Sequence, residues 1–327
     1  MNVINIDTIA FVGSGIVRPE CVLATGAGDL YVSDRRGAFT RIDADGRQTL
    51  FGAGLTCFGK PLLVNGIELL PDGSALLTQL DDPGGVWRFT VDGTLTPFLL
   101  EVDGTPLPAT NFVHADAQGR VWATVSTRAQ PRTLARSRKR ADGFIAMLDQ
   151  RGARIVADGL SFTNEAKVDP SGQWLYVNQT YARELNRFPI KPNGDLGPRE
   201  AVTRFGAGIF PDGLTFDIDG AVWITSPYSN SLIRVDCDGR QTLIFDDIDR
   251  TFIEDVERQY QDDVMTRSTM PTKIPARVLG NISSMAFGGP NMKTAYIGSL
   301  LDDRIATVAL PVAGAPPPHW NARFVKR

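Results

Sequence analysis

The chain has 327 residues, 43% hydrophobic and 22% charged, with a formal net charge of −3. This is the make-up of an ordinary globular protein with enough chain for a large core. It excludes a nucleic-acid binder, which would show a basic face with interleaved aromatics. The spacing of Cys21, Cys57 and Cys237 excludes a disulfide framework or a thiolate zinc site, and no apolar run approaches the ~18 residues of a membrane span.

The N-terminal stretch MNVINIDTIAFVGSG lacks a basic region followed by a long apolar run, so it reads as the start of a cytoplasmic protein rather than a signal peptide. Within it, residues 6–13 read as a strand. From there the chain repeats one unit. ECVLATGAGDLYVSD begins at Glu20, NGIELLPDGSALLTQ at Asn65, NFVHADAQGRVWATV at Asn111, NEAKVDPSGQWLYVNQ at Asn164, DGLTFDIDGAVWITS at Asp212 and SSMAFGGPNMKTAYIGS at Ser283. Each is a strand, a Gly-containing or Asp-containing turn and a returning strand. The starts are separated by 45, 46, 53, 48 and 71 residues.

Units of this size, each a small up-and-down sheet, predict an all-β, six-bladed β-propeller in a single domain over 1–327. One blade cannot bury both faces; six packed radially can. The last unit has three clear strands, ending in RIATVALP at 304–311, so residues 6–13 are expected to supply its outer strand and close the ring.

Two segments interrupt the repeat. Residues 127–143 lengthen a connection in blade 3, and their basic stretch 132–140 reads as a solvated loop. Residues 246–280 form an insertion between blades 5 and 6. In it, Phe252, Ile253, Val256, Tyr260 and Val264 recur at helical spacing, predicting one short amphipathic helix over 251–265, either a lid over a channel mouth or a packing element.

The first residues of the six units are Glu20, Asn65, Asn111, Asn164, Asp212 and Ser283, all polar and none basic. The innermost strand of each blade lines the central channel, so these residues are expected to form a ring of oxygen donors at its mouth. Such a ring suits a hard divalent cation. Calcium fits best, taking six to eight oxygen ligands, while zinc, manganese and magnesium can take the same donors. Glu20 and Asp212 would neutralise the ion and Asn164 would give a neutral carbonyl. Two carboxylates facing each other without a cation would force one to bind a proton.

At these residues the sequence resembles the gluconolactonase / senescence-marker-protein / luciferin-regenerating-enzyme family. The resemblance, carried most strongly by PDGLTFDIDGAVWIT (211–225), implies a six-bladed propeller with a divalent metal in its channel. It implies that Asp212 binds metal and is catalytic, that Asn164 and Glu20 complete the protein ligands, and that Asn111 contacts substrate. Asn65, beside it in the ring, is assigned the same role. The chain departs from the family pattern: Cys21-Val22 stands where Gly-Pro is usual, Glu165 follows the blade-4 Asn in place of Gly, and Ala109-Thr110-Asn111-Phe112 replaces the Arg-x-Asn-Asp of sugar lactonases.

The expected activity is therefore metal-dependent opening of a lactone or ester less polar than gluconolactone, with Asp212 assisting the attacking water. A phosphotriester or phosphofluoridate hydrolase on the same fold, or a non-catalytic ligand-binding propeller, remains open. The partner is a small molecule; the oligomeric state is not legible. Of the two histidines, His114 is expected to point away from the channel, in a buried contact with the register of Glu68 and Lys167. His319 is expected at the surface, and Cys21 in the blade packing.

Overall fold

The computed structural model describes residues 3–265 and 275–325. Six four-stranded antiparallel sheets follow one another along the chain, each a simple meander. Blade 1 is Val22–Ala24, Leu30–Ser33, Phe39–Ile42 and Gln48–Phe51. Blade 2 is Val64–Leu69, Ala75–Gln79, Val86–Phe89 and Leu95–Leu99. Blade 3 is Thr110–Ala115, Val121–Val125, Gly143–Asp149 and Gly152–Leu160. Blade 4 is Thr163–Val168, Trp174–Gln179, Glu184–Pro189 and Glu200–Arg204. Blade 5 is Leu214–Phe216, Val222–Ser226, Ser231–Val235 and Gln241–Phe245.

Blade 6 is built from both ends of the chain. Ile282–Gly288, Thr294–Ser299 and Ile305–Ala309 receive Ala10–Val12 as the outer strand, with Phe11 opposite Ala306. This is the predicted closure. The N-terminal strand is shorter than expected, because Ile6–Thr8 turn as a 3-10 helix. Closure leaves only short edges, the condition under which separate small sheets become one body.

The core lies between blades, as radial stacking requires. Each interface buries the alternate residues of two sheets: Trp223, Met285 and Phe287 between blades 5 and 6, and Leu76, Val113 and Ala123 between blades 2 and 3. Cys21 joins Ile67 and Leu77 between blades 1 and 2, as expected, and burial pushes its thiol pKa up. Blades approach closely where glycine permits: a Cβ on Gly213 would lie 2.4 Å from the Ser283 carbonyl oxygen of blade 6.

The insertion after blade 5 forms helix α1, Arg250–Gln261, capped by the Asp249 side chain, which accepts from Phe252 N at 2.8 Å. Val256 is buried and Phe252, Ile253 and Tyr260 pack beside it; Val264 lies past the helix end and is exposed. Residues 266–274 of the insertion lie outside the described residues. After blade 6 the tail runs back across the other end of the propeller. Gly314 pairs with Asp217 of blade 5, Gly26 of blade 1 donates to the Trp320 carbonyl, and Phe324 stacks on Phe89 of blade 2. Among the described residues no helix is long and apolar enough to cross a membrane.

Candidate functional site

The local device that shapes the channel is an irregularity at the start of the inner strands. The residue following a ring position donates its N–H to a hydroxyl on the second strand. Cys21 donates to Ser33 Oγ (2.9 Å), Gly66 to Thr78 Oγ1 (2.8 Å), Phe112 to Thr124 Oγ1 (3.1 Å) and Gly213 to Thr225 Oγ1 (3.0 Å). The pairing register shifts at this point in blades 2, 3, 4 and 6. A bulge takes one residue out of the alternation. Residues three apart on an inner strand can then face the same way, where an unbroken strand would oppose them.

Four of the six ring side chains, Glu20, Asn65, Asn111 and Asn164, meet in hydrogen bonds. Asn65 Nδ2 donates to Glu20 Oε1 at 2.8 Å and to Asn111 Oδ1 at 2.7 Å. Asn111 Nδ2 donates to Asn164 Oδ1 at 2.8 Å, and Asn164 Nδ2 to Thr180 Oγ1 at 3.0 Å. Thr180 in turn donates to the carbonyl of Pro211, the residue before Asp212. One chain of hydrogen bonds thus runs from blade 1 to the threshold of blade 5. Ser283 stands apart from it, its hydroxyl donating to the Glu20 carbonyl at 3.0 Å.

Asp212 is 6% exposed, and its carboxylate has no hydrogen-bond partner among the described residues. Burial raises its pKa well above the usual carboxylate range, and the nearby charges of Glu20 and Glu165 add to the rise. Glu165 is also raised by burial; it is held by Lys167 at 3.0 Å and accepts from Leu214 N of blade 5 at 3.1 Å. The Glu that departs from the family pattern therefore ties two blades together.

Two arginines enter the site that the sequence reading did not place there. Arg18 ion-pairs with Glu20 and donates to Asn65 Oδ1 at 2.6 Å. Arg132 turns inward from the supposed solvated loop, over the Phe162 ring at 4.6 Å, and donates to Ser126 Oγ at 3.0 Å. Its Nε is buried without a hydrogen-bond partner among the described residues, and burial lowers its pKa to about 10 against the attraction of Glu20 and Asp212. Arg18 stands two residues before a ring acid, a signal that was readable. Arg132 is one of several basic residues in its run, with nothing local to mark it.

An aromatic roof covers this end. Phe210, two residues before Asp212, packs against Tyr181 (5.7 Å), Tyr228 (4.8 Å) and Tyr260 of helix α1 (5.5 Å), and the Tyr181 and Tyr228 hydroxyls meet at 3.3 Å. The helix is fastened by Glu257 to Arg183 at 2.7 Å and by Tyr260 Oη to the Tyr181 carbonyl at 2.8 Å.

The oxygen-only donor set fits a hard cation: two carboxylates that disfavour each other when both are charged, each two residues before an inner strand, and an amide oxygen on one. Cations that prefer nitrogen or sulfur have no such ligands in this ring.

The two histidines behave differently from expectation. His114 does contact Glu68, Nδ1 to Oε2 at 3.1 Å, but both line a cavity on the propeller axis with residues from all six blades. The bulge between Thr110 and Phe112 explains it, reversing the alternation that would have turned His114 away. His319 is 7% exposed rather than on the surface, its Nδ1 2.6 Å from Glu68 Oε1, because the returning tail carries it across the channel end.

The family model for the SMP-30/gluconolactonase/LRE-like region matches residues 18–246. A 6-deoxy-6-sulfogluconolactonase of Pseudomonas putida is 26% identical over 226 residues, 68% of this chain; the chain covers less than two thirds of the length of such curated relatives, 65% of this one. Among solved structures, a gluconolactonase from Xanthomonas campestris superposes with a TM-score of 0.68 at 18% identity, covering 93% of this chain and 89% of that one. The calcium-binding protein regucalcin from Agrobacterium tumefaciens superposes with 0.65 at 17%, covering 96% and 98%. These likenesses are of fold. With the family model spanning five of the six blades, the chain belongs to the SMP-30/gluconolactonase/LRE-like family.

Proposed function

We propose that the protein is a metal-dependent hydrolase that opens a lactone. The observation that carries this reading is the meeting of Glu20, Asn65, Asn111 and Asn164 in one chain of hydrogen bonds, with the buried Asp212 within electrostatic reach of Glu20. Its family membership and the lactonase names of its relatives support it.

Glu20, Asn164 and Asp212 would hold the cation, calcium being the best match to the donors and the calcium-binding relative agreeing with it. When bound, the ion supplies a Lewis acid that polarises the lactone carbonyl and offsets oxyanion charge. Asp212 orients the attacking water and takes its proton, with the charges of Arg18 and Arg132 favouring the carboxylate form a base needs. Asn65 and Asn111, fixed by each other and by Arg18, position the ester. The aromatic roof of Phe162, Tyr181, Phe210 and Tyr228 favours a lactone less polar than gluconolactone.

The test is a panel of aromatic, aliphatic and sugar lactones, assayed with chelator and after calcium return. Asp212→Asn and Glu20→Gln should each lower kcat at least a hundredfold in a folded protein. Hydrolysis surviving both substitutions would refute the reading; a preference for phosphotriesters would move it to that substrate class.

A further inference from the structure

Arg18 has two arginine neighbours that have no carboxylate of their own. Arg35 stands two residues past the second strand of blade 1, and its N–H donates to the Val17 carbonyl at 3.0 Å, beside Arg18. Its guanidinium is within electrostatic reach of Arg18 and Glu20 but makes no hydrogen bond or ion pair among the described residues. The acid next to it in sequence, Asp34, is taken by Arg36 and Thr40. Arg132 arrives from the long connection of blade 3. Its Nη2 donates to Ser126 Oγ, which donates to the Thr163 carbonyl at 2.9 Å, one residue before Asn164. This guanidinium is within reach of Glu20, Asp212 and Arg18, yet it forms an ion pair with neither carboxylate. Arg136 adds a further charge near Arg132 and Tyr228.

Like charges are thus gathered against their own repulsion. Other cations near the ring are matched, Arg183 by Glu257 and Lys167 by Glu165. Only Glu20 and Asp212 stand against the three guanidinium groups of Arg18, Arg35 and Arg132. A divalent cation held by those two carboxylates would neutralise both, and the three positive charges would then have no counter-charge. Partly buried charges left unpaired are costly, and their mutual repulsion is strong where water is scarce. A bound anion removes both costs. Guanidinium groups suit a carboxylate in particular, because their paired N–H donors match its two oxygens.

We propose that Arg18, Arg35 and Arg132 form an anion subsite beside the ring, and that the substrate is a lactone carrying a carboxylate set apart from its ester. The inference rests on the lactonase reading and deepens it. The body of the lactone stays poor in hydroxyl groups, as the aromatic roof favours, and its polarity is gathered in one charged group that the arginines meet. Arg132 belongs to both surfaces: its guanidinium lies over the Phe162 ring of the roof, and its Nη1 has no hydrogen-bond partner among the described residues.

The experiment uses calorimetry on the intact protein, in calcium and in chelator. The probe is cyclopentanone bearing a carboxylate on its third carbon, which has no ester to open, compared with the matching primary amide. In calcium the acid is expected to bind about tenfold tighter than the amide. In chelator that preference should shrink, because the two ring carboxylates then repel the probe. Arg35→Met and Arg132→Met should each cut the preference about fivefold. In parallel, kcat/KM for γ-carboxy-γ-butyrolactone should exceed that for its amide. Equal binding of acid and amide in calcium, or a preference that survives in both variants, would overturn the proposal. Opening of neither lactone while the acid preference holds would refute the lactonase reading and keep the anion subsite. The wild-type comparison of acid with amide stands whether or not either variant folds.

Discussion

Thr225 Oγ1 donates to the Ser283 carbonyl at 2.7 Å while accepting from Gly213 N at 3.0 Å. One hydroxyl thus closes the bulge of blade 5 and joins that blade to blade 6 beside Asp212. Thr78 repeats the arrangement, accepting from Gly66 N and donating to the Asn111 carbonyl. Thr225→Val keeps the shape and strands two buried backbone groups, at a cost of about 1–3 kcal/mol for each group left unsatisfied. The midpoint of denaturant unfolding should fall accordingly, and Thr225→Ser should restore most of it. A valine variant as stable as wild type would show that the hydroxyl is not needed at the bulge.

If Glu20 holds the proposed cation, Arg18 competes with that cation for it. The guanidinium pairs with the Glu20 carboxylate, and it also fixes Asn65. Arg18→Met removes that competitor and is expected to tighten calcium binding about tenfold, equivalent to about 1.4 kcal/mol. Isothermal titration of calcium into both proteins checks this. An unchanged or weaker affinity would mean that the arginine orients Glu20 for the ion instead of opposing it.

Much of this architecture was legible in the sequence. Glycine-containing turns between short β-branched and aromatic runs gave the blades, and a polar residue at one register gave the ring. The bulges were overlooked although their signal was present: Ser33, Thr78, Thr124 and Thr225 each stand 13 residues after a ring position. Because they were missed, strand alternation put His114 on the wrong face. His319 and Arg132 were misplaced for another reason. Their neighbours in sequence are ordinary loop residues, and what buries them lies far along the chain: Glu68 for one, and Ser126, Phe162 and the ring carboxylates for the other.

Glu257 fastens helix α1 to the roof. It pairs with Arg183, accepts from Gly208 N at 3.1 Å, and has its pKa lowered: partial burial opposes the shift, but the Arg183 and Gln261 hydrogen bonds outweigh it. Glu257→Ala unties the helix from both partners while leaving its apolar face intact. Amide exchange across 250–261 should speed at least tenfold, with the inner strands of the blades unchanged. If the helix covers a working site, the KM for lactones should change with it. Unaltered exchange would show that the apolar contacts of the helix and the Tyr260 hydrogen bond to the Tyr181 carbonyl hold it down without Glu257.

Glu68 gives the fold an acid limit whose sign can be worked out. Burial acts to raise its pKa, but the His319 and His114 rings outweigh burial and bring the folded value to about 2, against 4.5 for the unreacted group. A depressed carboxylate stabilises the folded state fully above the unfolded pKa and loses that contribution as pH falls through the folded one. The window is therefore roughly pH 4.5 down to 2, and the contribution about 3 kcal/mol at 1.36 kcal/mol per unit. Because His319 belongs to the tail that crosses the channel end, the loss should appear first as release of that tail. Glu68→Gln should lower the melting temperature at pH 7, and the gap from wild type should shrink as pH drops through that window. A gap that stays constant from pH 7 to 2 would show that the pair of histidines does not hold the carboxylate in its charged form.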